Sequence, residues 1–164
     1  MDLYLIRHAD AQPLGEGGVE DDEDRPLTAV GQSQCRALAA ALQRQKVQLD
    51  KLVTSPLLRA RQTAEGLALH WTGTPPAQEL CDHLAPGGRR RKLTRFLRDL
   101  GAESVAVVGH EPDVGAYAAW LIGSKKAQVE LAKAGVARVH FDGKPGKGDG
   151  VLTWLITPEW CAGA

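Results

Sequence analysis

The sequence predicts an α/β fold, a three-layer sandwich with a mostly parallel central sheet and helices on both of its faces. Short apolar runs alternate along the chain with amphipathic helical segments, which is typical of a parallel sheet. The run Val105–Gly109 is apolar throughout, as expected for a central strand covered on both faces. Residues 137–141 and 151–156 flank a loop rich in glycine and charge, which predicts an antiparallel edge at the C-terminal side of the sheet.

The first half of the chain contains two predicted strand and helix pairs. After the strand that begins at Leu3, residues 12–26 form a loop rich in glycine and acidic residues. Thr28 is predicted to cap a helix. Its buried face would comprise Cys35, Leu38, Ala39 and Leu42. A short strand over 52–54 ends at Ser55 and Pro56, and Pro56 suits the first turn of the next helix. The buried face of that helix would comprise Leu57, Ala60, Ala64 and Leu67.

The second half begins with a predicted link, residues 72–78, that is rich in proline and glycine. An amphipathic helix follows, with its apolar positions at Leu93, Phe96, Leu97 and Leu100. After the central strand, Pro112 opens a helix that is expected to stop at Gly123. With 164 residues and no internal repeat, the chain is predicted to form one domain over 1–164.

Composition restricts the function classes. The 20 basic and 20 acidic residues cancel, so no overall charge attracts the protein to nucleic acid or to a membrane. No apolar run reaches the roughly 18 residues of a membrane span, and no basic segment precedes an apolar one at the N-terminus. The odd set Cys35, Cys81 and Cys161 contains no CxxC pair, which favours free thiols in a cytoplasmic protein over disulfides or a zinc site.

Four polar residues stand where predicted strands end. Arg7 and His8 follow the first strand, Arg59 lies one turn into the helix after the second, and His110 follows the third. Because parallel strands bring their carboxyl ends to one edge of a sheet, these side chains are expected to converge there. Two guanidiniums fit the oxygens of a phosphoryl group, a neutral imidazole can attack it, and a second imidazole can stabilise the oxygens.

No group of carboxylates accompanies this set, so we expect neither a metal site nor a cofactor. The arginines and histidines would neutralise the phosphoryl charge that magnesium neutralises in other phosphoryl-transfer enzymes.

Five segments of the chain carry a family pattern: LIRHADA (5–11), RPLTAVG (25–31), TSPLLRARQTAE (54–65), LAPGG (84–88) and VVGHEPDVG (107–115). Together they resemble the histidine phosphatase superfamily, the phosphoglycerate mutase-like group, and in particular its small bacterial SixA-type phosphohistidine phosphatases. The resemblance implies a phosphoglycerate mutase-like sandwich in which His8 becomes phosphorylated. It also implies that Arg7, Arg59 and His110 hold the phosphate, with Arg25 at the edge of the pocket.

The resemblance implies a metal-independent phosphatase that works in two steps through a phosphohistidine on the enzyme and releases inorganic phosphate. We expect His8 to be neutral, with its other ring nitrogen donating to a backbone carbonyl that fixes the tautomer. The favoured substrate is phosphohistidine on a partner protein, such as a phosphorelay or phosphotransfer protein.

One departure from the family pattern bears on the substrate. SixA-type proteins often place a glutamate before the Leu-x-Pro stretch, whereas this chain has Asp82 and His83 there. Either residue is a candidate general acid, or no acid is used, which a phosphohistidine substrate would permit because imidazole leaves more readily than an alkoxide. Two alternatives stay open: a phosphatase of small phosphomonoesters such as sugar phosphates, and a phosphoprotein-binding module without turnover.

Two runs of charge have both a simple and a functional interpretation. The acidic stretch 16–24 and the basic run 89–92 are expected to be solvated surface, or else to contact a partner near the site. His70 and His140 are interpreted as ordinary hydrogen-bonded histidines. Asp10 is expected either to orient a pocket arginine or to cap a turn.

Overall fold

The computed structural model describes residues 1–162, with side chains to residue 160, and its strands form a six-stranded sheet in the order β3-β2-β4-β1-β5-β6. The strands are β1 (Asp2–Arg7), β2 (Lys51–Thr54), β3 (Ala77–Leu80), β4 (Ser104–Gly109), β5 (Val136–His140) and β6 (Val151–Ile156). The first four pair in parallel, whereas β5 is antiparallel to β1 and β6 is antiparallel to β5. This confirms the predicted mostly parallel sheet with an antiparallel C-terminal edge.

Helices cover both faces of the sheet. They are α1 (Ala29–Arg44), α2 (Leu58–Leu69), α3 (Arg90–Asp99), α4 (Asp113–Leu121) and a short α5 (Pro158–Ala162). In β1, Leu3 and Leu5 point toward the core formed with α3 and α4, while Tyr4 and Ile6 point toward the core formed with α1 and α2. Because side chains alternate across a strand, a strand buried on both faces must be apolar at successive positions. The three-layer sandwich is confirmed.

The start of α1 is anchored to the loop that follows β1. The Thr28 hydroxyl accepts a hydrogen bond from the Gly31 amide at 3.1 Å, as the capping prediction requires. A side chain at Gly31 would place a Cβ only 2.0 Å from the Asp10 carbonyl oxygen, so only glycine fits. The Asp10 carboxylate accepts from Thr28 and pairs with Lys133 at 2.6 Å. Asp10 therefore holds the helix start and does not contact a pocket arginine.

Three elements differ from the sequence prediction. The predicted link 72–78 runs into β3, an edge strand whose residues are mostly exposed and so lack an apolar signal. Pro56 lies outside the first turn of α2, because Leu57 has an extended backbone (ψ 140°) and caps the helix. The helix α5 was not predicted. The expected helix stop is present, since α4 ends at Leu121 and Gly123 has a φ of +77°.

Cys35 and Cys81 are buried free thiols, and burial raises the pKa of Cys35 to about 11. The prediction for Cys161 concerns a side chain outside the described residues. Within residues 1–162, no helix is both long and apolar enough to cross a membrane.

Candidate active site

The register of two neighbouring strands brings the two predicted site histidines together. Arg7, the last residue of β1, pairs with Gly109, the last residue of β4, so His8 and His110 leave the sheet side by side. The His8 amide donates to the Gly109 carbonyl at 2.9 Å, which fixes the two strand ends. The ring centroids lie 5.2 Å apart at a tilt of 52°, and both residues are buried.

The hydrogen bonds of the His8 ring fix its tautomer. Its Nδ1 lies 2.7 Å from the Ala9 carbonyl oxygen and must donate to it, so Nε2 carries the lone pair. The Arg59 Nε donates to that Nε2 at 3.3 Å. Burial, together with the charges of Arg59 and Arg7, lowers the pKa of His8 to about 4. The imidazole is therefore neutral at pH 7, with the tautomer expected from the sequence.

Arg59 is nearly fully buried in the first turn of α2. Thr63 fixes this turn to the segment after β1, since its hydroxyl donates to the Arg59 carbonyl at 2.7 Å and accepts from the Ala9 amide at 3.0 Å. The position of the guanidinium against His8 is thus set by the helix start and one threonine.

His110 forms a hydrogen bond with a buried serine. Its Nε2 lies 2.8 Å from the Ser55 hydroxyl oxygen, and Ser55 is fully buried just after β2. Burial, with the charge of Arg59 acting in the same direction, lowers the pKa of His110 to about 3. Because a hydroxyl can either donate or accept, Ser55 can support His110 in its neutral and its charged form.

Two buried nitrogens of the site have no partner. Arg7 donates through Nη1 to the Leu131 carbonyl at 2.9 Å, but its Nε is unpaired. The other unpaired atom is Nδ1 of His110, and among the described residues no other buried side-chain nitrogen or oxygen lacks a partner. Since buried polar groups are nearly always satisfied, two orphans within one small set of residues point to a polar ligand that would complete them.

Residues 12–26 lie against this site through one carboxylate. Asp22 accepts from Arg59 Nη2 at 3.0 Å through Oδ2 and from Arg25 Nη1 at 2.9 Å through Oδ1, and its carbonyl accepts from Arg59 Nη1 at 2.6 Å. The hydrogen bond from Arg25 and the charge of Arg59 hold the pKa of the Asp22 carboxyl below its usual range. Arg25 is anchored by a bond from its Nε to the Gln12 carbonyl at 2.6 Å.

The interpretation of 16–24 as plain solvated surface is therefore incomplete. Asp22 binds the arginine that contacts His8, although nothing in the sequence distinguishes it from the other acidic residues of the run 20–24.

A cavity lies beside His110 and contains one of the two predicted general acids. His83 lines it, whereas Asp82 is exposed and is not part of its lining. Asp113, in the first turn of α4, supplies a carboxylate to the same cavity and accepts from the Gly87 amide at 2.7 Å. Asp113 was not predicted as a site residue. Its place in the segment 107–115, three residues after His110, is the feature of the sequence that could have indicated it.

Comparisons with known proteins define the class. The model of the histidine phosphatase superfamily (branch 1) matches residues 3–82. The phosphohistidine phosphatase SixA of Escherichia coli (strain K12) is 31% identical, covering 96% of this chain and 94% of its own. An uncharacterized protein of Picosynechococcus sp. is 33% identical over 98% of both chains.

The chain belongs to the histidine phosphatase superfamily and is a hydrolase of that superfamily. Within it, the chain is SixA-like. A solved structure of the protein histidine phosphatase SixA, complexed with tungstate, has a TM-score of 0.83 at 30% identity and covers 96% of this chain and 97% of its own.

Proposed function

We propose that this protein dephosphorylates phosphohistidine on a partner protein, without a metal ion, through a covalent phosphohistidine on His8. The observation that carries the proposal is the state of His8: a buried, neutral imidazole whose Nε2 carries the lone pair and accepts a hydrogen bond from the Arg59 guanidinium. A neutral nitrogen with a fixed lone pair is a nucleophile that needs no further activation.

Binding would use the groups that are unpaired in the free protein. Arg7 Nε and His110 Nδ1 are available donors, and the Arg59 guanidinium would exchange the Asp22 carboxylate for phosphoryl oxygens. With Ser55 donating to Nε2 of His110, Nδ1 carries the proton and can donate to an oxygen. The tungstate complex of the similar SixA structure supports this assignment, because tungstate is a tetrahedral oxyanion like phosphate.

In the first step, the Nε2 lone pair of His8 attacks phosphorus and the substrate's P–N bond breaks. The bonding electrons pass to the substrate nitrogen, and a proton on the distal ring nitrogen lets the imidazole leave as a neutral molecule. In the second step, water attacks phosphorus and the P–Nε2 bond breaks with its electrons returning to Nε2. Phosphate leaves as dihydrogen phosphate, which carries both protons of the water. The Ala9 carbonyl holds the Nδ1 proton throughout.

The proton on the distal ring nitrogen of the substrate can come from the cavity beside His110. His83 and Asp113 both line this cavity and are the candidate donors. Asp82 is the weaker candidate, because it is exposed outside the lining. Metal independence and a cytoplasmic location remain part of the proposal, the first supported by the cationic groups that would neutralise the phosphoryl charge.

The test is phosphate release in the presence of EDTA from a phosphohistidine-bearing protein, a phosphoserine peptide and sugar phosphates. We expect release that is fastest from phosphohistidine and absent in His8→Ala. An acid-labile, alkali-stable phosphoenzyme should also be trapped on the wild type after rapid mixing. Faster turnover of sugar phosphates would assign the protein to small-molecule metabolism, and phosphate-dependent binding without release would make it a binding module.

A further inference from the structure

A groove beside the site carries four cations and no acid. The basic groove is formed by Arg90 and Arg91 of α3, by Lys125 after α4 and by Lys147 of the loop 142–150, over Ala116 and Trp120 of α4. All four cations are exposed, and none makes an ion pair with a described residue. In a chain of zero net charge, such a groove is a local excess of positive charge.

The segments that supply these cations are fixed to one another. The Thr94 and Tyr117 hydroxyls bond at 2.9 Å and join α3 to α4. Arg98 of α3 donates to the Pro145 carbonyl at 2.7 Å, and the Gly148 amide donates to the Leu121 carbonyl at 2.9 Å. The loop that carries Lys147 is thus tied to both helices, so the cations surround the groove in a defined arrangement.

The basic groove is continuous with the candidate active site. Arg90 and Ala116 line the groove and also line the cavity that contains His110 and His83. A partner bound at the cavity beside His110 therefore has a direct path over these cations for the residues next to its phosphorylated side chain. By contrast, the groove that contains Lys46 and Arg138 on another part of the surface also contains Asp2 and Glu103.

We propose that the basic groove binds acidic residues that flank the phosphorylated histidine of a partner protein. The inference rests on the proposed function and adds the chemistry of the partner. Carboxylates fit because the lining offers four cations without a competing acid, and such complementarity raises the association rate and restricts the choice of partner. Each contact is exposed and weak alone, so several acidic residues are needed.

The test uses two synthetic phosphohistidine peptides that differ only in having glutamates or glutamines around the phosphohistidine. We compare kcat/KM for both peptides and for phosphoramidate, a small compound that does not reach the groove. The wild type should favour the glutamate peptide about tenfold at low salt, mainly through KM, and the preference should shrink at about 0.5 M salt.

The variant R91E/K125E should lose the preference and keep phosphoramidate turnover within about twofold. The matched control is R36E/K46E, which makes the same change of charge at exposed positions on the side of the sheet covered by α1. The control should keep the preference. An equal rate on both peptides with the wild type, or an equal loss in the two variants, would overturn the proposal.

Failure of the proposed function would be distinguishable. If the wild type releases no phosphate, the affinities of the same peptides are measured by fluorescence anisotropy. Tighter binding of the glutamate peptide that R91E/K125E removes and R36E/K46E retains would support the groove without the hydrolase reaction. Equal affinity for the two peptides would reject the groove itself.

Discussion

Both ends of the central sheet carry arginine and histidine side chains. At the amino end they form a surface ion-pair cluster, and at the carboxyl end they form the candidate active site. At the amino end, Asp2 receives two hydrogen bonds from Arg138 at 3.1 and 2.9 Å and lies 2.9 Å from Nδ1 of His140. At the carboxyl end, Arg7 is followed by His8, whose ring meets the His110 ring and the Arg59 guanidinium from other elements. The strand β1 begins in the first cluster and ends in the second.

Residue type therefore does not distinguish a site from a surface ion pair, whereas pairing and burial do. In the amino-end cluster a carboxylate lies between the arginine and the histidine, and all three side chains are partly exposed. Pairs of this kind contribute little to stability. In the carboxyl-end cluster the histidines are buried and neutral, two nitrogens are unpaired, and the carboxylate that pairs with Arg59 comes from a partly exposed loop.

The largest expected difference between the two ends is in catalysis. H8A should lower kcat/KM for a phosphohistidine substrate by at least about 10³-fold, because the atom that forms the covalent bond is lost. H140A should stay within about twofold. A kcat/KM measurement on both variants, with circular dichroism to confirm folding, makes the comparison. Substantial activity in H8A would mean that another group accepts the phosphoryl group.

The positions of the four candidate site residues at the carboxyl edge of the sheet could be predicted, because motif order and strand ends are local features of the sequence. Arg7, His8, Arg59 and His110 each stand at a fixed distance from a strand end, and a parallel sheet brings such ends together. The edge strand β3 escaped prediction since it is short and exposed on most positions, so neither hydrophobic alternation nor an apolar run marks it.

The contacts that refine the site could not be predicted, since they join segments distant in sequence. Ser55 and His110 are 55 positions apart, and Asp22 and Arg59 are 37 apart. Either pairing depends on how helices and loops pack after the strands have assembled. Asp113 lines the cavity and Asp82 does not. This too could not be predicted, because it depends on the orientation of α4 and of the turn over 82–84.

The second expected difference between the two ends of the sheet is in how strongly their histidines make the free energy of unfolding depend on pH. Burial lowers the pKa of His8 to about 4 and that of His110 to about 3, whereas an unfolded histidine titrates near 6.5. Between these values the unfolded state binds protons that the folded state does not. The free energy of unfolding therefore falls as the pH drops from about 6.5 to about 4, by at most about 3 kcal/mol for the His8 ring.

Urea unfolding between pH 4.5 and 7.5, in buffers without phosphate, measures this dependence. H110Q should make the free energy of unfolding depend less steeply on pH. H140Q should retain the part of the pH dependence that the buried His8 and His110 rings cause. Ring-nitrogen NMR should find His8 and His110 neutral at pH 5.5. A protonated ring at that pH, or an unchanged slope in H110Q, would contradict the assignment of neutral buried histidines.

A third, smaller expected effect concerns Ser55, which forms a hydrogen bond with His110. S55A removes the hydrogen-bond partner of Nε2 and should lower kcat about tenfold with little change in KM, because His110 loses the contact that orients it. T94V is the matched control, since it removes a buried hydroxyl that bonds to Tyr117 and not to a histidine of the site. Both variants should lose similar stability. Equal losses of kcat would show that Ser55 acts through stability alone.

The smallest expected effect tests the carboxylate that pairs with Arg59 at the carboxyl end. The Asp22 carboxylate pairs with the Arg59 guanidinium, which a phosphoryl group would also bind. Because D22N weakens this competing pair, it should strengthen inhibition by inorganic phosphate by roughly threefold. D24N, in the same turn and exposed, is the control and should leave inhibition unchanged. Weaker inhibition in D22N would mean that Asp22 orients Arg59 and Arg25 for the anion. The carboxylate would then resemble Asp2 at the other end, as a structural partner of arginine.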